Sequence, residues 1–103
     1  VALISDAGMP AINDPGYLLV RAALDAGHEV IPIPGPSAPI SALAASGLPT
    51  DSFLYLGYPA RKTTARRTAF EAVASQVHTL IWLESPHRLQ ATLADMLAVF
   101  GVR

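Results

Sequence analysis

VALISDAGMPAINDPG, residues 1–16, is the stretch on which the reading of this chain turns. Val1 to Ile4 is a short, continuous apolar run, the pattern of a buried parallel strand. Ser5 and Asp6 end it. Gly8, Pro10, Asn13 and Asp14 then shape a loop that closes on Asp14-Pro15-Gly16, and a helical pattern begins at once. Asp14 is placed to cap that helix, with Pro15 at the first position, where a missing N–H costs nothing. A strand that delivers a Gly/Pro-shaped loop to a helix start is where α/β folds hold ligands. The loop is longer than the roughly 2–6 residues usual for such a connection, yet it is not a G-x-G-x-x-G. It reads as a ligand loop or as a well-capped connection.

Outward from that loop, Leu18, Leu19, Ala22, Ala23 and Ala26 recur at helical spacing, and Gly27 is the expected stop. His28 to Ile33 predicts a second strand, with Pro32 near its end. Pro34-Gly35-Pro36-Ser37 is a second strand-to-helix loop, and Ser37 can cap a helix over 38–46 that Gly47 and Pro49 end. Two such loops in succession can form two walls of one pocket. Residues 48–51 read as a linker. Phe53 to Tyr58 predicts a third strand, and a helix follows from about 65 to 76. His78 to Leu83 predicts a fourth strand. Ser85 and Pro86 start a last helix whose apolar stripe is Leu89, Leu93, Met96, Leu97 and Phe100, ended by Gly101. Strands and helices in alternation give an α/β class.

The chain has 103 residues, about half of them apolar, and a formal net charge of -1. That composition suits a globular chain and supplies no global field for nucleic acid, so an RNA contact needs a local patch. The absence of cysteine excludes a disulfide scaffold, a thiolate zinc site and a Cys nucleophile, and it fits a reducing compartment. Three dispersed histidines without ligand spacing give no case for a metal. No apolar run approaches the roughly 20 residues needed to span a bilayer. Val1 opens inside an apparent strand and the chain stops just after a helix, so it is expected to be the middle piece of a longer protein.

Three groups of residues can carry chemistry. Asp6, at a strand end, can bind a hydroxyl or an ammonium group, or simply order its loop. Arg61, Lys62, Arg66 and Arg67 are four of the seven Lys/Arg, and no acid lies between Ser52 and Phe70. They form a candidate phosphate patch or a solvated helix start, although cations there oppose the helix dipole. Glu84, His87 and Arg88 lie together in sequence. Glu84 and His87 suit acid/base work and Arg88 a phosphate; a local Glu–Arg or Glu–His pair fixing the turn is the alternative.

The strings SDAGMPAINDPG, IPIPGPSAPISALAASGLP and ESPHR together resemble the tetrapyrrole methylase superfamily, over essentially the whole chain. More narrowly they resemble its branch that methylates the 2′-hydroxyl of a cytidine in 16S rRNA. The resemblance implies a cytoplasmic, homodimeric enzyme of the small ribosomal subunit that uses S-adenosylmethionine (SAM). It implies two α/β domains with the cofactor between them, residues 1–51 ending the first and 52–103 starting the second. Relatives carry Gly-Asp-Pro where this chain has Gly8-Met9-Pro10. Met9 at the acidic position favours the rRNA branch. The implied cofactor contacts are Met9 and Ile12, backbone around Ala7 and Gly8, the pair Ser37-Ala38, and Leu83 next to Glu84. Glu84, His87 and Asp6 are the candidates for a base or orienting acceptor. Arg61, Lys62, Arg66, Arg67 and Arg88 are the candidates for RNA phosphates. The alternatives are another branch acting on a tetrapyrrole or a protein side chain, and a non-catalytic RNA-binding module of the same fold. An NAD-binding domain lacks its glycine fingerprint.

Overall fold

Four helices and one parallel strand pair are formed by residues 1–102, the residues described by the computed structural model; Arg103, the last residue of the expected second domain, lies outside them. In chain order they are α1 (Tyr17–Asp25), α2 (Ala38–Ser46), β1 (Phe53–Tyr55), α3 (Thr63–Glu71), β2 (Thr79–Ile81) and α4 (Pro86–Phe100). Helices and a parallel pair make the chain α/β. It divides into two units, Val1–Ala45 and a second that begins at Ser46, a few residues before the predicted linker. No helix among the described residues is long and apolar enough to cross a membrane.

In the first unit the two predicted strands are absent. Residues 1–4 and 28–33 carry no strand assignment, and neither segment has a ladder partner among the described residues. A strand exists only through its pairing, and the apolar run that predicts one does not supply the neighbour. Their side chains stand open: Ile4 is 84% exposed and Ile33 81%. The start of α1 also differs from expectation. Asn13 (φ 53°) and Gly16 (φ 135°) turn the chain further before it winds. Gly16, not Asp14, is therefore the N-cap, and its carbonyl accepts from Val20 N at 2.9 Å. The turn at Gly16 favours glycine through its φ, and a Cβ there would displace the Leu3 side chain, whose Cδ2 lies 2.6 Å away. Gly27 ends α1 as predicted. His28 N donates to Ala23 O and Gly27 N to Leu24 O, the paired bonds of a Schellman motif around a left-handed glycine. Ser37 Oγ accepts weakly from Ile40 N at 3.5 Å at the head of α2, and Leu43 is that helix's buried residue.

In the second unit β1 and β2 pair in parallel, Phe53 opposite Thr79, Leu54 opposite Leu80 and Tyr55 opposite Ile81. Two further backbone bonds, Leu56 N to Ile81 O and Leu83 N to Gly57 O, extend the pairing toward the predicted strand ends. α3 starts and stops earlier than predicted and gives way to turns over 72–75. Phe70 on α3 is fully buried and meets Trp82 edge-on, with ring centroids 5.2 Å apart, and Phe100 at 5.5 Å. Ser85 and Pro86 begin α4 as predicted, with Arg88 N and Leu89 N both donating to Ser85 O. The predicted stripe is corrected: Leu89, Leu93 and Leu97 are exposed, whereas Thr92 and Asp95 are the buried residues of α4. Polar partners, rather than the leucines, fix which face turns inward. Leu93 and Leu97 instead border an open apolar groove of about 590 Å³ with Leu48, Val77 and Phe100.

Candidate cofactor loops and a basic helix start

Both Pro/Gly loops of the first unit come together. Gly8 has φ 76°, and a Cβ added to it would lie 3.4 Å from Pro36 O. A Cβ added to Gly35 would lie 3.4 Å from Met9 Sδ. Each loop therefore approaches the other at a residue without a side chain. Ser5 Oγ closes the base of the first loop, donating to Ala7 O at 2.9 Å. Left-handed backbone at Gly8, Ala11 and Asn13 gives this loop its shape. Met9 is half-buried between the loops, while Ala7, Ile12 and Ala38 are exposed and Ser37 is half-buried. Asp6 is exposed and has no hydrogen bond or ion pair among the described residues.

In the second unit the ESPHR turn is built around Glu84. Its Oε1 accepts from Ser85 N at 2.7 Å and pairs with Arg88 Nη2 at 2.7 Å. Its Oε2 accepts from Thr92 Oγ1 at 2.7 Å. Burial pushes the Glu84 carboxyl up, but the hydrogen bonds from Thr92 and Ser85 and the Arg88 charge outweigh it and hold it below the usual glutamate value. An ionised carboxylate with three donors on it is a poor proton acceptor. This is the turn-fixing Glu–Arg pair: it ties up Glu84 and engages Arg88 through Nη2. His87 lies on the first turn of α4, exposed and without a partner among the described residues. Leu83 is half-buried where the strand pairing ends.

The basic segment separates into different environments. Arg61 and Lys62 are exposed. Arg66 is buried, only 3% exposed. Its Nε donates to Asp95 Oδ2 at 2.7 Å and its Nη2 reaches the same oxygen and Thr63 Oγ1. Its Nη1 donates to Ala60 O at 3.2 Å and Arg61 O at 3.1 Å. The five N–H donors of a guanidinium are matched by these contacts, so the structure places Arg66 inside as a strut rather than on the predicted patch. Arg67 donates from Nε to Asp95 Oδ1 at 2.7 Å with its side chain 47% exposed. Burial acts to raise the Asp95 carboxyl. The hydrogen bonds and charges of Arg67 and Arg66 overcome that and hold it below the usual aspartate value.

Asp95 and Thr92 are the residues that sequence reasoning missed. The signal for Asp95 was a run of cations with no acid nearby, which requires a counter-charge from elsewhere in the chain. The cost of placing cations at the start of α3 is met by Asp95 on α4.

Known proteins complete the account. The family described as Tetrapyrrole (Corrin/Porphyrin) Methylases matches residues 1–102. The ribosomal RNA small subunit methyltransferase I of Halalkalibacterium halodurans is 55% identical over 103 residues, 100% of this chain and 36% of that protein. The protein of the same name from Escherichia coli O157:H7 is 52% identical over 98% of this chain and 35% of its own length. That of Micromonospora olivasterospora is 52% identical over 100% of this chain and 33% of its length. The chain thus spans about a third of the length of the curated relatives it matches. With the match running from the first loop to the end of α4, the chain belongs to the tetrapyrrole (corrin/porphyrin) methylase family.

Proposed function

We propose that this chain is part of a SAM-dependent methyltransferase that methylates the 2′-hydroxyl of a cytidine ribose in 16S rRNA. The observation that carries the reading is the convergence of the two loops, Gly8 on Pro36 and Gly35 on Met9. It occurs in a chain half-identical to proteins named as small-subunit rRNA methyltransferases. The loops fit the cofactor, because a Cβ at Gly8 would fill the space beside the Pro36 carbonyl and one at Gly35 the space beside the Met9 side chain. Ala7, Gly8, Met9 and Ile12 on one loop, and Ser37 and Ala38 on the other, would hold it; Leu83 is a further contact that the resemblance implies. SAM supplies a methyl group on a sulfonium, activated for direct displacement. The chain's own part is to position the reactants and exclude water.

A ribose hydroxyl is a weak nucleophile and gains from an acceptor for its proton. Glu84 is committed to Ser85, Arg88 and Thr92, which leaves His87 and Asp6 as the unpartnered candidates. Arg61 and Lys62, both exposed, and Arg67 and Arg88, each held at one nitrogen by a carboxylate, are the side chains with donors left to meet RNA phosphates. Met9 in place of an acid supports the rRNA branch over a tetrapyrrole substrate. The resemblance supports a cytoplasmic homodimer acting on the small ribosomal subunit, with residues 1–51 and 52–103 in successive domains.

Gly8→Val tests the loop assignment. Valine is strained at φ 76°, and its Cβ would lie 3.4 Å from Pro36 O. Calorimetric titration of the full-length variant with SAM is expected to show binding weakened more than tenfold, with the helical circular dichroism retained. Wild-type affinity would remove the loop from the cofactor site. Methyl transfer by the intact enzyme to small ribosomal subunits, and none to uroporphyrinogen, is the expected outcome of the substrate comparison.

A further inference from the structure

We infer that Asp95 divides the labour of the two adjacent arginines, fixing Arg66 as an internal strut and positioning Arg67 as a preset fork for an RNA phosphate. The inference rests on the proposed RNA substrate. Two guanidinium groups share one carboxylate, which leaves one positive charge over. Arg66 has no donor to offer: its five N–H groups face Asp95, Thr63 and the carbonyls of Ala60 and Arg61. Arg67 differs in one respect that matters. Only its Nε is engaged, by Asp95 Oδ1 at 2.7 Å, and its two Nη groups have no partner among the described residues.

A guanidinium held at Nε has its plane fixed while the terminal nitrogens remain available. That is the geometry for two parallel N–H bonds to phosphate oxygens. A free arginine loses side-chain entropy when it binds; one already pinned to a buried carboxylate loses less. Asp95 is itself buried and locked by Arg66, so the pin is rigid. The same strut holds the carbonyls of Ala60 and Arg61, which sets the backbone that carries the exposed Arg61 and Lys62. Asp95 is thus a positioning residue, and Arg67 the group that touches the ligand.

The sign of a charge change separates this arrangement from simple attraction. Asp95→Asn raises the net charge by one and, by long-range electrostatics alone, would tighten binding to RNA. Positioning predicts the opposite. Binding of small-subunit rRNA to the full-length protein is followed at several salt concentrations, with circular dichroism as the check on folding. Arg67→Ala is expected to weaken binding about tenfold and to lower the salt slope by about one. Arg67→Lys keeps the charge but not the fork. It is expected to weaken binding several-fold with the slope unchanged, and because Arg67 is half-exposed it tests the idea even where Asp95→Asn fails to fold. Wild-type affinity in Arg67→Lys, or tighter binding in a folded Asp95→Asn, would overturn the inference. Arg61→Ala/Lys62→Ala reports on the underlying reading: if that double variant binds as wild type does, the basic segment is not an RNA surface. If it weakens binding while Arg67→Lys does not, the segment binds RNA without a preset fork.

Discussion

Asp95 accepts from two arginines that lie 28 and 29 residues before it in the chain, and Glu84 gathers Ser85, Arg88 and Thr92 within eight residues. Both carboxyls are held below their ordinary values, for the reasons given above. A carboxylate that is more acidic folded than unfolded contributes stability that is complete above the unfolded value and is lost as pH falls through the folded one. The thermal midpoint is therefore expected to be level from about pH 5 upward and to drop below about pH 4. A pH series of melts checks this, and Glu84→Gln should show a shallower decline. An equally steep decline would place the acid sensitivity in other carboxylates. Thr92 gives a sharper test. Its hydroxyl is buried and donates to Glu84 Oε2 at 2.7 Å. Thr92→Val keeps the shape and leaves that oxygen short of a donor, a change expected to cost about 1–3 kcal/mol in urea unfolding.

Elements were legible in the sequence where their signals are local. Gly27 ends α1, Gly47 follows α2, and Ser85-Pro86 opens α4 because capping and left-handed turns depend on a few adjacent residues. The parallel match of β1 with β2 follows from two short apolar runs joined by a helix. Strands at 1–4 and 28–33 were not decided locally, since an apolar run does not contain the partner it needs. The cap of α1, not its body, is misread because Asp14 satisfies a local capping rule that the turn at Asn13 and Gly16 overrides. The leucine spacing of α4 is regular, yet Thr92 and Asp95 face inward; their partners on other elements were invisible to a periodicity argument. For the candidate site, the two Pro/Gly loops were readable from composition. The split between Arg66 and Arg67, identical in sequence terms, emerges only from where α4 places one carboxylate.

Across the whole molecule the two units differ in how much they bury. Leu43 is the only buried apolar side chain among the described residues of the first unit, and α1 buries none. The second unit has Phe70 inside an aromatic cluster and a satisfied ionic network between α3 and α4. Local stability follows buried contacts. Amide hydrogen exchange on the 103-residue chain is expected to be fast throughout α1 and residues 28–33, and slow in α3, α4 and the β1–β2 pair. Equal protection in both halves would refute the contrast. The aromatic cluster has one more consequence. Trp82 is the chain's only tryptophan, and it packs against Phe70 at 5.2 Å and Phe100 at 6.0 Å. Its emission is a built-in optical reporter on the second unit, reading the α3–α4 packing directly.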